Sequence, residues 1–373
     1  MLLLLIKVLV FFIGLCLGSF LNVVIHRLPR PGISISHPRR SFCPRCTREI
    51  RWYDNLPLVS YVLLRGRCRH CGLPISPRYP LVELICGLLA LAVYYKSYPT
   101  LGFRTLADLY LALALVAVSF IDLDHFLIPD EITIPGLLVG LAAAILAPEI
   151  GLAGPWLAMT LSGLAGGYWG PALLWLAVGV VLAGVLFWVG ERLYEGRFEE
   201  EDAEEEAEDL TLGEITLDFL GRRTAVLTLA AAAVGLLAVL VLGAAGAGRA
   251  GPIFSSWFQE RTGLSLFGSV LGLVLGGGLI YFIFALYLLV RGQEGMGLGD
   301  LVLLAMIGSF LGWRSIFFTV FIGSLTAMGA YLVSAAAARS FNLKEMLPFG
   351  PFLSLAALVY LFFGERILAW YLG

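Results

Sequence analysis

Residues 2–25 form one apolar run, interrupted by a single charge at Lys7. A helix needs about 20 such residues to cross the hydrocarbon of a bilayer. Further runs lie at 80–96, 105–121, 132–148, 165–190, 224–244, 266–290, 301–312, 315–338 and 350–371. Of 373 residues, 59% are hydrophobic and 14% charged, which no soluble globular chain requires. The runs are long and rich in Leu, Ala and Gly, and they lack the alternation of a membrane barrel. They predict an all-α fold, a polytopic transmembrane helical bundle. The stretch 301–312 is short, which suggests a half-span joined to the next helix.

The net charge of −2 conceals a split. Residues 26–80 hold eleven Arg against Glu49 and Asp54, and 191–218 hold thirteen Asp and Glu against Arg192 and Arg197. Short positive loops stay in the cytoplasm, so residues 2–25 run from outside to inside. The positive charge follows the first apolar run instead of preceding it, unlike a cleaved signal peptide. Alternation from that span puts 122–131, 191–223, 291–300 and 339–349 on the cytoplasmic side. The acidic run 199–209 reads as a solvated charged loop. No tandem repeat is evident.

The Arg-rich segment is polar and only about 55 residues long, a size that often needs a metal or another staple to fold. It carries Cys43-Pro44-Arg45-Cys46 and Cys68-Arg69-His70-Cys71, two C-x2-C pairs separated by twenty-one residues. That spacing matches a four-thiolate zinc site. Four sulfurs fill a tetrahedron, so the zinc is expected to be structural. Cys16 and Cys86 lie in apolar spans and read as small packing residues.

Two aspartates stand at span ends. Asp122 closes one run in Ser119-Phe120-Ile121-Asp122-Leu123-Asp124-His125, and Asp300 closes Gly295-Met296-Gly297-Leu298-Gly299-Asp300. A carboxylate at the edge of hydrocarbon is costly and by default functional. Both fall on the same side by the alternation above. Two close carboxyls at low dielectric cannot both ionise readily. The one that keeps its proton can polarise a scissile carbonyl while the other deprotonates water, as in an aspartic protease. Gly297 and Gly299 remove side chains beside Asp300 and allow approach of a substrate backbone. Against this, an Asp before a helix is often only an N-cap. That reading is preferred for Asp130, and Asp124 is placed in solvent. Glu83 lies inside the second span and wants a partner, with Arg78, Asn22 and His26 as candidates. Asn22 suggests a helix-to-helix contact.

These pieces resemble the bacterial type IV prepilin peptidases, the leader peptidase/N-methyltransferases. The matching stretches are Gly18-Ser19-Phe20-Leu21-Asn22 through Pro29, the two cysteine pairs with Asp54-Asn55-Leu56-Pro57 between them, and Arg78-Tyr79-Pro80-Leu81-Val82-Glu83. The Asp122 stretch through Pro129-Asp130, Gly297-Leu298-Gly299-Asp300, and Pro348-Phe349-Gly350-Pro351 follow in the same order. The resemblance implies a GxGD-type aspartic protease that removes a short basic leader from type IV prepilins or pseudopilins at the cytoplasmic membrane face. It also implies methylation of the new N-terminus with S-adenosylmethionine. It maps the catalytic pair onto Asp122 and Asp300, and the zinc ligands onto Cys43, Cys46, Cys68 and Cys71. No residue is identifiable as donor-binding. Val302 stands where the family commonly has a lysine, and about a hundred extra residues separate the two halves of the protease.

The expected organisation is a first transmembrane helix at 1–25, a small cytoplasmic zinc-binding, methyltransferase-associated domain at 26–80, and helices with the first catalytic aspartate at 81–148. An insert at 149–265 carries two further spans and the acidic loop 191–223, and 266–373 holds the helices with the GxGD motif. The expected location is the bacterial inner membrane, with the active site facing the cytoplasm. Expected partners are prepilins and membrane lipid, with no nucleic acid. Rivals are a peptidase without methyl transfer, an ion-coupled carrier, and a noncatalytic assembly scaffold. A carrier would want its acids near the midplane.

Overall fold

The computed structural model describes residues 2–30, 34–37, 40–43, 45–148, 265–278, 297–338 and 347–372. The chain divides into two compact units, and every described residue belongs to the first: Met1–Ala153, Ser265–Ile280 and Met296–Gly373. The spans expected at 165–190 and 224–244, the acidic run 199–209 and most of the insert 149–265 lie outside the described residues, as does the second half of the 266–290 span.

Described helices are α1 (Leu2–Arg27), α2 (Val59–Leu63), α3 (Arg78–Ser97), α4 (Phe103–His125) and α5 (Asp130–Leu146), then α6 (Ser265–Gly278), α7 (Leu298–Leu311), α8 (Trp313–Ala338) and α9 (Gly350–Leu372). Five of them, α1, α3, α4, α8 and α9, are long and apolar enough to cross a membrane. The short run expected at 301–312 is α7. It ends at Gly312, whose φ of 77° lets the chain turn directly into α8, so the joined pair expected there is present.

Helix α4 is the centre of the bundle. Every residue from Leu111 to Val118 is buried, so it packs on all sides, as a helix hydrophobic all round should. Its neighbours close in through small residues. A Cβ on Gly14 of α1 would sit 2.6 Å from the Ala90 Cβ and 2.8 Å from the Gly87 Cα of α3. Gly272 of α6 crosses Gly308 of α7 backbone to backbone. Such close approach adds van der Waals contact where apolar burial gives no advantage over lipid. Cys86 joins Ile25, Val82, Leu113, Val116, Ala117 and Ile121 in one buried cluster, as a packing residue should. Cys16 does not share that role, because it faces outward from α1.

One end of the bundle is closed by ions. Asp108, in the first turns of α4, is 1% exposed and accepts from Lys96 Nζ of α3 at 2.5 Å and Arg104 Nε at 2.9 Å. A second Arg104 nitrogen donates to the Phe310 carbonyl of α7 at 2.8 Å. Three helices are thus clamped at the end opposite Asp122. Asp108→Asn leaves two cations with a neutral partner, and the expected loss is about 3 kcal/mol of stability. Thermal unfolding of the detergent-solubilised protein checks it, and an unchanged midpoint would count against the clamp.

Candidate active site and metal centre

The other end of the bundle gathers the sequence-predicted site. Asp122 lies one turn before the end of α4, which Phe126 closes in a left-handed conformation (φ 52°). The chain then runs through Ile128 and Pro129 into α5. Asp300 sits in the first turn of α7. Its N–H donates to the Gly297 carbonyl at 3.1 Å, Gly297 occupies the cap position, and no side-chain cap bond is made. The capping explanation for Asp300 is therefore not realised. Asp130 is not the cap residue, because α5 begins at Asp130 itself and Pro129 occupies the cap position.

Asp122 and Asp300 are both buried, 5% and 7% exposed, and close enough for their charges to interact. The Gly350 N–H, at the start of α9, donates to Asp122 Oδ2 at 2.9 Å. No side chain fits there, since a Cβ on Gly350 would lie 2.7 Å from that same oxygen. Ile128 wedges the arrangement. A Cβ on Gly299 would sit 2.8 Å from Ile128 Cβ, and one on Gly350 would sit 3.3 Å from Ile128 Cδ1. Gly299 is thus required by packing, whereas among the described residues a Cβ on Gly297 would meet only Asp300 Oδ2, at 3.9 Å. Val302 is buried in α7 and faces the core.

The residues that sequence reasoning passed over here are Gly350 and Ile128. Gly350 stood only in a matched motif, and nothing local in the sequence says that its N–H meets a carboxylate 228 positions away. Asp124 is exposed, as expected, and has a partner. It pairs with Arg78, which also donates to the Phe120 carbonyl at 2.9 Å, binding the start of α3 to the end of α4. Glu83 takes none of the three partners expected for it. It accepts from the Leu58 N–H at 2.9 Å. Asn22 does make its helix-to-helix contact, donating to the Tyr79 carbonyl at 3.0 Å.

The cysteines come together on two matching turns. Cys43 donates its N–H to the Arg48 carbonyl and accepts from Thr47 N–H, and Cys68 does the same with Leu73 and Gly72. Isolated antiparallel bridges, Phe42 to Glu49 and Arg67 to Pro74, close the two turns. The four Sγ atoms lie within 4.8 Å of one another. Zn–S bonds of about 2.3 Å in a tetrahedron place sulfurs about 3.8 Å apart, so the set fits zinc with no position left open. Backbone N–H groups of Cys71 and His70 bring the Cys68 thiol down to about 7. At Cys71 the Leu73 N–H favours the thiolate, but desolvation and the neighbouring sulfurs outweigh it and hold that thiol at about 11. Between the pairs, Asp54 takes Arg69 in a two-pronged bond, with Nε–Oδ2 at 2.8 Å and a terminal nitrogen to Oδ1 at 2.6 Å. The Arg69 bonds hold the Asp54 carboxyl below the usual carboxylate range.

Comparison with known proteins bears on both sites. The profile of the bacterial peptidase A24 N-terminal domain matches residues 12–97, and that of the type IV leader peptidase family matches 109–193. A prepilin leader peptidase/N-methyltransferase of Aeromonas hydrophila is 30% identical over 98% of this chain and 93% of its own length. The chain belongs to the type IV leader peptidase family. Proteins of the same name from Myxococcus xanthus and Klebsiella pneumoniae are 51% and 44% identical over shorter stretches. These cover 37% and 38% of this chain, and 40% and 64% of those proteins. No solved structure matches. Family membership and the five apolar helices make this peptidase a multi-pass membrane protein.

Two outcomes follow from the geometry. Gly350→Ala pushes the Asp122 carboxylate off its N–H, and peptide cleavage is expected to fall by about 10²-fold with the fold retained. Cleavage rate beside a thermal melt checks this. With metal stripped at pH 7.5, iodoacetamide is expected to label Cys68 before Cys71, because the thiolate reacts and Cys68 has the lower pKa. Peptide mass spectrometry gives the order, and metal-loaded protein should resist labelling at all four cysteines.

Proposed function

We propose that this leader peptidase hydrolyses the peptide bond between leader and mature chain of type IV prepilins, with Asp122 and Asp300 as the water-activating pair. The observation that carries the reading is that two buried carboxyls from separate helices lie at one end of the bundle, around the same Ile128. One carboxylate takes a proton from water as its oxygen bonds to the scissile carbonyl carbon. The other, protonated, hydrogen-bonds the carbonyl oxygen. Collapse breaks the C–N bond, and the amine leaves with a proton. The open side of Gly297 gives the substrate backbone a way to Asp300. The placement of both acids near helix ends favours this reading over an ion-coupled carrier.

The second activity is N-methylation of the new terminus. S-adenosylmethionine supplies the methyl group, forming an N–C bond as its S–C bond breaks and leaving S-adenosylhomocysteine and a proton. The four-cysteine segment, expected at 26–80, is a zinc-stapled module over the cytoplasmic ends of α1 and α3. It is tied there by Arg27, which donates to the Ile35 and Arg40 carbonyls, and by the Leu58–Glu83 bond. Its arginines suit lipid phosphates. The protein works in the bacterial inner membrane with its site toward the cytoplasm, consistent with the eleven arginines of this segment.

The test is mass spectrometry of a prepilin incubated with purified protein and S-adenosylmethionine. Leader loss plus one methyl is expected. Asp122→Asn and Asp300→Asn should each lower cleavage by about 10²–10⁴-fold or more, while a pre-cleaved pilin is still methylated. Cleavage that survives either substitution would sink the dyad.

A further inference from the structure

A cavity of about 350 Å³ lies between the four-cysteine module and the first turns of α3, against the end of α1. The volume falls in the range of small-molecule sites. Its lining is two-sided. Glu83 and Asn22 present polar groups from the membrane helices, while Tyr61, Leu64 and Ile75 form an apolar wall from the module. Arg45 stands on the lining as well and is exposed, and His26, Arg27, Arg69 and His70 add further basic groups to it.

We propose that this cavity is the methyl-donor site, an inference that rests on the methyl-transfer reading above. The donor class is a sulfonium nucleoside carrying an adenine, a ribose diol and an amino-acid end. Each part has a counterpart. The flat adenine suits the Tyr61, Leu64 and Ile75 wall. A carboxylate is the usual acceptor for a ribose diol and equally favours a cationic sulfonium, and Glu83 is held in place for either by the Leu58 N–H. Arg45 suits the donor carboxylate. The Asp54 carboxylate also borders the cavity, but Arg69 already engages it.

Position supports the assignment. Tyr79 and Glu83 of α3 line the cavity, while Arg78, in the same turn, holds Asp124 and the Phe120 carbonyl of α4. One helical turn therefore borders the cavity and also grips the α4 end that carries Asp122. An amine released at the dyad emerges at the end of the bundle where the donor would sit. This also gives Glu83, Ser19 and Asn22 a common purpose beyond packing.

Calorimetric titration of S-adenosylhomocysteine into the full-length protein in nanodiscs tests the site without requiring turnover. Glu83→Gln is expected to weaken binding by about 10-fold, the loss of one charge-assisted contact. Ile75→Trp fills the cavity from the module side and should weaken it at least as much. Because Glu83 also tethers the module, Ile75→Trp is the arm that survives a folding defect in Glu83→Gln, with prepilin cleavage in the same samples reporting an intact bundle. If both variants bind like the wild type while the wild type methylates, the cavity assignment is wrong and methyl transfer stands. Variants with unchanged donor binding but a raised KM for prepilin cleavage would give the cavity to the leader instead, and overturn the proposal. A wild type that neither binds S-adenosylhomocysteine nor methylates would remove both readings.

Discussion

The bond from the Gly350 N–H to Asp122 Oδ2 organises the end of the bundle where Asp122 and Asp300 lie. A carboxylate withdrawn from water must be given donors, and each one it lacks costs free energy. Here a donor comes from the first turn of α9, whose N–H groups have no partner within their own helix. The same bond draws α9 onto α4, while α7 arrives through Gly299 against Ile128. Three helix ends and a loop thus converge because one carboxylate needs a partner and two glycines remove what would keep the backbones apart.

The opposite end is built on another plan. Asp108 is surrounded by cations, and its neighbours are fixed by charge. The active end has no such cation at its two acids among the described residues. Asp124, two residues beyond Asp122, takes the nearby Arg78 instead. An arginine on Asp122 would hold it ionised and occupied. By giving Arg78 to Asp124 and to a backbone carbonyl, the fold keeps a strong cation close for docking α3 on α4 without placing it on Asp122.

Much of this was legible in the chain. Hydropathy located every described spanning helix to within a few residues, because the bilayer imposes length and composition together. The arginine bias put Asp122 and Asp300 on one side, and the cysteine spacing announced the four-sulfur cluster. What escaped were contacts made by the backbone. Gly350 and Leu58 act through their N–H groups, which every residue but proline has, so the sequence carries no mark of them. The partners assigned to Glu83 failed for the same reason: side chains were matched with side chains, and the segment between the cysteine pairs supplied a main-chain donor. Gly299 looked like an opening and is a packing contact, a distinction that depends on Ile128, which lies far away in sequence.

Ile128 has a consequence for how such a chain can change. One side chain touches the backbone of two glycines on two helices, so its volume sets a spacing that neither helix fixes by itself. Positions 128, 299 and 350 behave as a single three-part gauge. A methyl gained at 299 has to be matched by atoms removed at 128, and atoms removed at 128 loosen the seat of α9 as well as that of α7. Substitutions that arrive one at a time are blocked in either direction. The placement of Asp122 and Asp300 is therefore insulated from drift by a lock that contains neither aspartate.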